Sequence, residues 1–189
     1  MSGRDDGGPL RAFAAAAGLA YAPAEELGRG GRLHGVHGVR GGVEVDAGPF
    51  VRAGSRYLDR HGTPPPLEVR VRGRAVHPTE DSLCVWPSGV LTRLARILGA
   101  PSWVAGDARF DDAYLVETTS KALADAILDP EQRERLVALG AFEFLALERG
   151  EVELVLGPAP QTAERMLAAL AIVVSAARVP PPPATTPYR

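Results

Sequence analysis

Between residues 67 and 73 the chain alternates without a break. Leu67, Val69 and Val71 are apolar, and Glu68, Arg70 and Arg72 between them are charged. A period of two predicts a strand with one face buried and the other wet, as in an antiparallel sheet. Val43 and Val45 alternate with Glu44 and Asp46 in the same way, predicting a strand over 42–47. A partner over 33–36 makes a hairpin with it, turned by the glycine-rich run 28–42. Leu83 to Trp86 is a short apolar strand candidate over 82–86. Further on, Phe110, Asp112, Tyr114 and Val116 fall on one face of a predicted strand over 110–116. The runs 142–147 and 151–156 predict a second hairpin, closed at Arg149-Gly150.

Other segments carry the helical period. Leu10, Phe13 and Ala17 share a face over 9–20, with Gly18 near its end. Leu91, Leu94, Ala95 and Leu98 do so over 90–98, closed by Gly99. Ser120 is placed to cap a short helix carrying Leu123, Ile127 and Leu128. Asp129 then restarts a helix as N-cap, with Pro130 at its first position, Gln132 closing a capping box and Gly140 at its end. Thr162 caps a last amphipathic helix through Met166, Leu167, Leu170, Val173, Val174 and Ala177. That helix stops at Pro180 to Pro183, because proline has no N–H to donate.

The order of these segments lacks the strand–helix–strand rhythm of a parallel sheet. It predicts an α+β fold in which a mainly antiparallel sheet packs against several helices. One domain over 9–179 is expected, with two loosely similar halves at 9–100 and 101–179. Residues 55–66 read as a loop. The ends, 1–8 and the Pro-rich 180–189, read as disordered tails, with too little apolar surface to offset ordering entropy.

Composition narrows the function. The 189 residues carry a formal net charge of −2, which offers no electrostatic footprint for nucleic acid or anionic membrane. Lys121 is the sole lysine; the arginine bias, with abundant Ala, Gly and Pro, is the mark of a GC-rich bacterial genome. A single cysteine, Cys84, excludes an internal disulfide and fits a cytoplasmic compartment. The start of the chain lacks the apolar run of a secretory signal, and the longest apolar stretch, 166–179, is too short to span a bilayer.

One stretch has a recognisable pattern. Phe110, Asp111, Tyr114 and Val116, then Ile127, Leu128 and Pro130, then Phe142 and Phe144 follow one another in a fixed order. In this the segment 106–156 resembles a bacterial family classed as a domain of unknown function. Its pattern is a Phe-Asp/Asn-x-x-Phe-x-Val strand and a helix break ending Ile/Leu-Leu-x-Pro. Tyr114 stands where that pattern has Phe, and Thr118-Thr119 where an acidic residue often follows. The resemblance carries over no catalytic residues.

Candidate chemistry is sparse. Asp107, Asp111, Asp112 and Glu117 are carboxylates close in sequence, but on a strand Asp111 and Asp112 point to opposite faces and do not share an ion. Asp107, beside Gly106, reads as a turn residue bonded to its own backbone. His34 and His37 lack a third metal ligand nearby, and His61 and His77 lie in other loops. The glycine-rich run matches no phosphate-binding motif. Cys84 sits in an apolar run, where a thiol acts as a small hydrophobe. The arginines Arg70, Arg72 and Arg74 line the wet face of one strand, suited either to gripping an acidic partner or to pairing with Glu44, Asp46 or Glu68. The expectation is a non-enzymatic protein-interaction or accessory domain. It has no cofactor, metal or catalytic residue, it binds another protein, and its candidate surface is Arg70, Arg72 and Arg74. The alternative is a small metal- or anion-dependent enzyme using Asp107 and Asp111 with a histidine.

Overall fold

The computed structural model describes residues 8–23, 35–50, 68–89, 102–157 and 160–181. In chain order these form α1 (Gly8–Ala17), β1 (Ala20–Ala22), β2 (Gly35–Arg40), β3 (Val43–Phe50), β4 (Glu68–Arg74) and β5 (Leu83–Pro87). Then come α2 (Ala108–Ala113), β6 (Tyr114–Thr118), α3 (Lys121–Ile127), α4 (Pro130–Leu139), β7 (Phe142–Glu148), β8 (Glu151–Leu156) and α5 (Ala163–Ala177). All eight strands join one antiparallel sheet, in the order β1-β2-β3-β4-β8-β7-β5-β6. The fold is α+β, a mainly antiparallel sheet against helices.

The alternation seen in the sequence sets the faces. Val69 and Val71 of β4 pair with Leu156 and Leu154 of β8, which in turn pair with Phe142 and Leu145 of β7. Leu83 and Val85 of β5 and Val116 of β6 continue this apolar face. All five described helices bury their stripes in the same core, through Phe13, Phe110, Leu123, Leu136, Met166 and Val173 among others. Each such side chain taken out of water contributes roughly 1.5–3 kcal/mol, so the core lies on this one face of the sheet.

Local chemistry sets the ends. Gly18 at φ 69 closes α1, with its N–H donating to Ala15 O and that of Leu19 to Ala14 O, a Schellman end. Ser120, Asp129 and Thr162 accept from the Leu123, Gln132 and Arg165 backbone N–H groups, as their residue types require. Arg149 (φ 52) and Gly150 (φ 76) both take left-handed backbone and form the two-residue turn of the β7–β8 hairpin.

Several expectations are corrected. Residues 110–113 are helix, not strand: Asp107 caps α2, and the strand begins only at Tyr114. The first helix starts at Gly8, inside the expected tail, and ends at Ala17, because Ala20 already pairs with His37 in β1. Gln132 closes no capping box; its amide is buried and donates to Ile172 O of α5 at 2.8 Å. The predicted helix over 90–98, the loop over 55–66, the start of the first hairpin before Gly35, and the tails apart from Gly8 and Pro180-Pro181 lie outside the described residues. β5, although upstream of residue 100, sits between β7 and β6.

Candidate functional site

The second face of the sheet, away from the core, carries the polar half of every alternating strand. One row crosses seven strands in register: His37, Asp46, Arg72, Glu153, Ala146, Cys84 and Glu117. On one side of it lies a charged row, in which Arg74 pairs with Glu151 and Glu151 with Glu148 across the strands. On the other side Arg70 pairs with Val155, and Val155 with Phe144. The Phe144 ring meets that of Trp86 at 5.4 Å, and Trp86 pairs with Leu115 on β6. This outer face is thus graded, aromatic and apolar along one side and charged along the other.

The three arginines stand together on this face, each engaged within the sheet. Arg72 Nε lies 3.1 Å from both oxygens of Asp46, with Glu151 at 4.0 Å from its NH1. Burial works against the guanidinium charge, but the Asp46 hydrogen bonds and the fields of Asp46, Glu151 and Glu153 hold its pKa above the usual value. Arg74 reaches Glu44 at 3.7 Å, and Arg70 lies 5.6 Å from the Phe50 ring centroid. Cross-strand pairing of this kind between partly exposed groups contributes about 0–1 kcal/mol.

Glu153, next to Arg72 across the β4–β8 seam, has its carboxyl pushed up by burial, which outweighs the opposing pull of Arg70 and Arg72. Across the face, burial together with the charges of Glu117 and Glu148 raises the Cys84 thiol to about 12. A thiol held so high is neutral and a poor nucleophile at physiological pH. A groove of 650 Å³ runs beside Asp46, Arg72 and Arg74. Two further hollows, of 470 and 350 Å³, share Ala146 and Glu148.

Of the carboxylates named from the sequence, Glu117 stands on this face, while Asp107 and Asp111 lie elsewhere. Asp107 Oδ1 accepts from the N–H groups of Arg109 and Phe110, and Asp111 takes those of Ala105 and Gly106, both at 2.9 Å. Both acids therefore hold the backbone that turns into α2. Tyr114 and Phe142 stack beneath, with the Tyr114 hydroxyl donating to Leu136 O at 3.1 Å. Phe110 and Val116 are buried in the same core, with Leu128, while Pro130 opens α4. His37 lies on β2, six places from β6 in the sheet order, about 29 Å at the usual strand spacing. His77 follows β4 in an exposed connection; His34 and His61 lie outside the described residues. The geometry brings Asp107 and Asp111 together with each other but not with His37. Among the described residues no three His, Cys, Asp or Glu side chains cluster around a point that would hold a metal.

Sequence reasoning missed the Trp86–Phe144 pair and the carboxylates Glu148, Glu151 and Glu153 beside it. The signal was present in the hairpin: a two-residue turn at Arg149-Gly150 fixes the register, and alternation then puts Phe144, Glu148, Glu151 and Glu153 on one face.

No protein-family model matches the chain, and no curated protein does. A solved structure does. The crystal structure of the mycobacterial trehalose monomycolate transport factor A, TtfA, is similar over 96% of this chain and 99% of its own, with a TM-score of 0.55 and 15% identity. What the two share is the fold. Among the described residues, no helix is long and apolar enough to cross a membrane.

Proposed function

We propose that the chain is a non-enzymatic accessory module of the bacterial cytoplasm that meets another protein through the outer face of its sheet. The observation that carries this reading is the placement of Trp86. It is a large indole, 38% exposed, packed on Phe144 and lining one hollow with Glu117 and Glu148 on the sheet face opposite the core. Half-exposed aromatics next to ordered polar groups are the usual anchors of protein interfaces. The arginines Arg70, Arg72 and Arg74 belong to the same face and form its other arm. Support also comes from the engagement of Asp107 and Asp111 with backbone N–H groups, which leaves the alternative enzymatic reading without its carboxylates. The likeness to a protein described as a transport factor is compatible with an accessory role.

An affinity capture from the native host tests this. Wild type is compared with a variant carrying Arg70, Arg72 and Arg74 reversed to Glu, and with Trp86→Ala, each first shown to melt as a folded protein. A stoichiometric protein retained by wild type and lost from either variant is the expected result. Wild type that retains no specific protein overturns the reading.

A further inference from the structure

We infer that the outer face between β8 and β6 takes an extended, arginine-bearing segment of a partner protein, with Glu117 and Glu153 pairing its cations and Trp86 packing against it. This rests on the interaction reading above and names the chemistry of the partner.

The middle row of the outer face changes character at β8. On the β4 side Asp46 and Arg72 satisfy each other. Past Glu153 the row continues through two small side chains, Ala146 and Cys84, before it meets Glu117 on the edge strand. Small residues between larger ones leave a trough. The hollows of 350 and 470 Å³ meet there, floored by Ala146 and Cys84, walled by Trp86 and Phe144 on one side and by Glu148 on the other.

The trough is negative. Glu148 draws on Arg149 at 3.5 Å and Glu151 on Arg72 at 4.0 Å; Glu153 feels Arg70 and Arg72 only at longer range, and Glu117 and Glu153 make no ion pair among the described residues. Glu148 and Glu151 stand directly opposite each other in the hairpin, an arrangement of like charges that costs stability unless a cation lies near. Cys84, on the floor, has its thiol raised chiefly by burial, with the charges of Glu117 and Glu148 adding to it.

Spacing decides what such a surface fits. Glu153 and Glu117 are three strands apart, about 14 Å, too far for both to ligate one metal ion. The separation suits two cationic side chains on one extended chain, since residues i and i+4 of a strand lie about 13 Å apart. Arginine fits better than lysine. Its planar guanidinium pairs a carboxylate through two N–H groups and stacks on an indole face, and both partners are present.

The test uses the full chain and a fluorescent peptide of about eight residues alternating Arg and Leu, long enough to cross the trough. Its counterparts alternate Glu with Leu, or Arg with Gly, and spermine serves as a chain-free polycation. Binding is followed by fluorescence anisotropy. The Arg-Leu peptide is expected to bind. Its affinity falls about tenfold or more in Glu117→Gln/Glu153→Gln and in Trp86→Ala, as loss of a charge-pair partner or an aromatic anchor does. Glu134→Gln, exposed on α4, leaves it unchanged. The near-isosteric Gln variants are checked by circular dichroism, and Trp86→Phe should retain most of the binding lost in Trp86→Ala. Absence of binding, equal binding by the Glu-Leu peptide or spermine, or equal binding by the Glu117→Gln/Glu153→Gln variant overturns the inference. A host partner retained by wild type and equally by that double variant overturns it too, while leaving the interaction reading intact.

Discussion

The indole N–H of Trp103 donates to Oδ1 of Asp125 at 2.9 Å, and Lys121 holds the other oxygen of the same carboxylate at 2.6 Å. Trp103 is buried and bridges to Val116, so this one carboxylate ties α3 to the segment lying along β6. Asp125→Ala leaves the indole N–H without its partner and should lower stability by about 1–2 kcal/mol. Urea denaturation at neutral pH measures it. Burial opposes the charge on Asp125, but the Lys121 and Trp103 hydrogen bonds outweigh it and hold the carboxyl below its ordinary value. Its contribution is therefore full above an unfolded value of about 3.9 and is lost as pH falls through the lowered folded value. Asp125→Asn should accordingly flatten the decline of the urea midpoint below about pH 4.

Gly73 is the point at which α5 touches β4. A Cβ there would lie 2.8 Å from Val173 Cγ1 and 3.1 Å from Val43 Cγ1. Gly73→Ala should cost about 1–3 kcal/mol by overpacking, despite the better strand propensity of alanine. Adding Val173→Ala should recover part of that loss, because the clash and the cavity share one space. Thermal melts of the two single variants and the double variant give the coupling. Strict additivity would mean that the contact is not what limits this position.

Cys84 should resist maleimide in the native protein at neutral pH and react on unfolding. The thiol stands near 12 against an ordinary 9.0, chiefly through burial and then through Glu117. Glu117→Gln lowers that barrier and should speed labelling at alkaline pH. The stability tied to the neutral thiol is full below 9.0 and disappears as pH rises toward about 12, so Cys84→Ala should lack this part of the alkaline decline.

Gln132 has one met and one unmet need. Its Nε2 donates to Ile172 O at 2.8 Å, while its buried Oε1 has no hydrogen-bond partner among the described residues. Gln132→Met removes both groups and should leave stability unchanged or raise it, since Ile172 O sits within α5. Gln132→Glu buries an unpaired charge and should cost about 3 kcal/mol or more at pH 7. The denaturation midpoint should fall for Gln132→Glu and not fall for Gln132→Met.

Where a segment's structure depends on its own residues, the sequence was legible. The alternation of β4, the Arg149-Gly150 turn, and the caps Ser120, Asp129 and Thr162 each act within a few residues, and all were read correctly. The same local logic explains the misreading at Phe110. A helix of six residues followed at once by a strand puts Phe110, Asp112, Tyr114 and Val116 at every second position, which imitates one continuous strand. The deciding signal was Asp107, whose carboxylate takes the Arg109 and Phe110 N–H groups and starts a helix. β1 escaped notice because three residues, two of them alanine, carry no period. Gln132 was read as a cap because its distance from Asp129 in sequence fits one; only the packing of α4 on α5 shows that it faces inward. The outer face was half legible. Arg70, Arg72 and Arg74 follow from alternation alone. That Glu153, Cys84 and Glu117 continue their row depends on pairings between distant segments, β4 with β8 and β5 with β7, which no local pattern encodes.

The position of β8 has a consequence for how the molecule is made. The last of the described strands in chain order occupies the centre of the sheet, between β4 and β7. Until residues 151–156 are made, β4, with valine on one side and arginine on the other, lacks the β8 partner it has in the folded sheet. An unpaired edge of that length invites pairing with the wrong strand. Arg70, Arg72 and Arg74 give β4 charged side chains of the kind that discourage such mispairing.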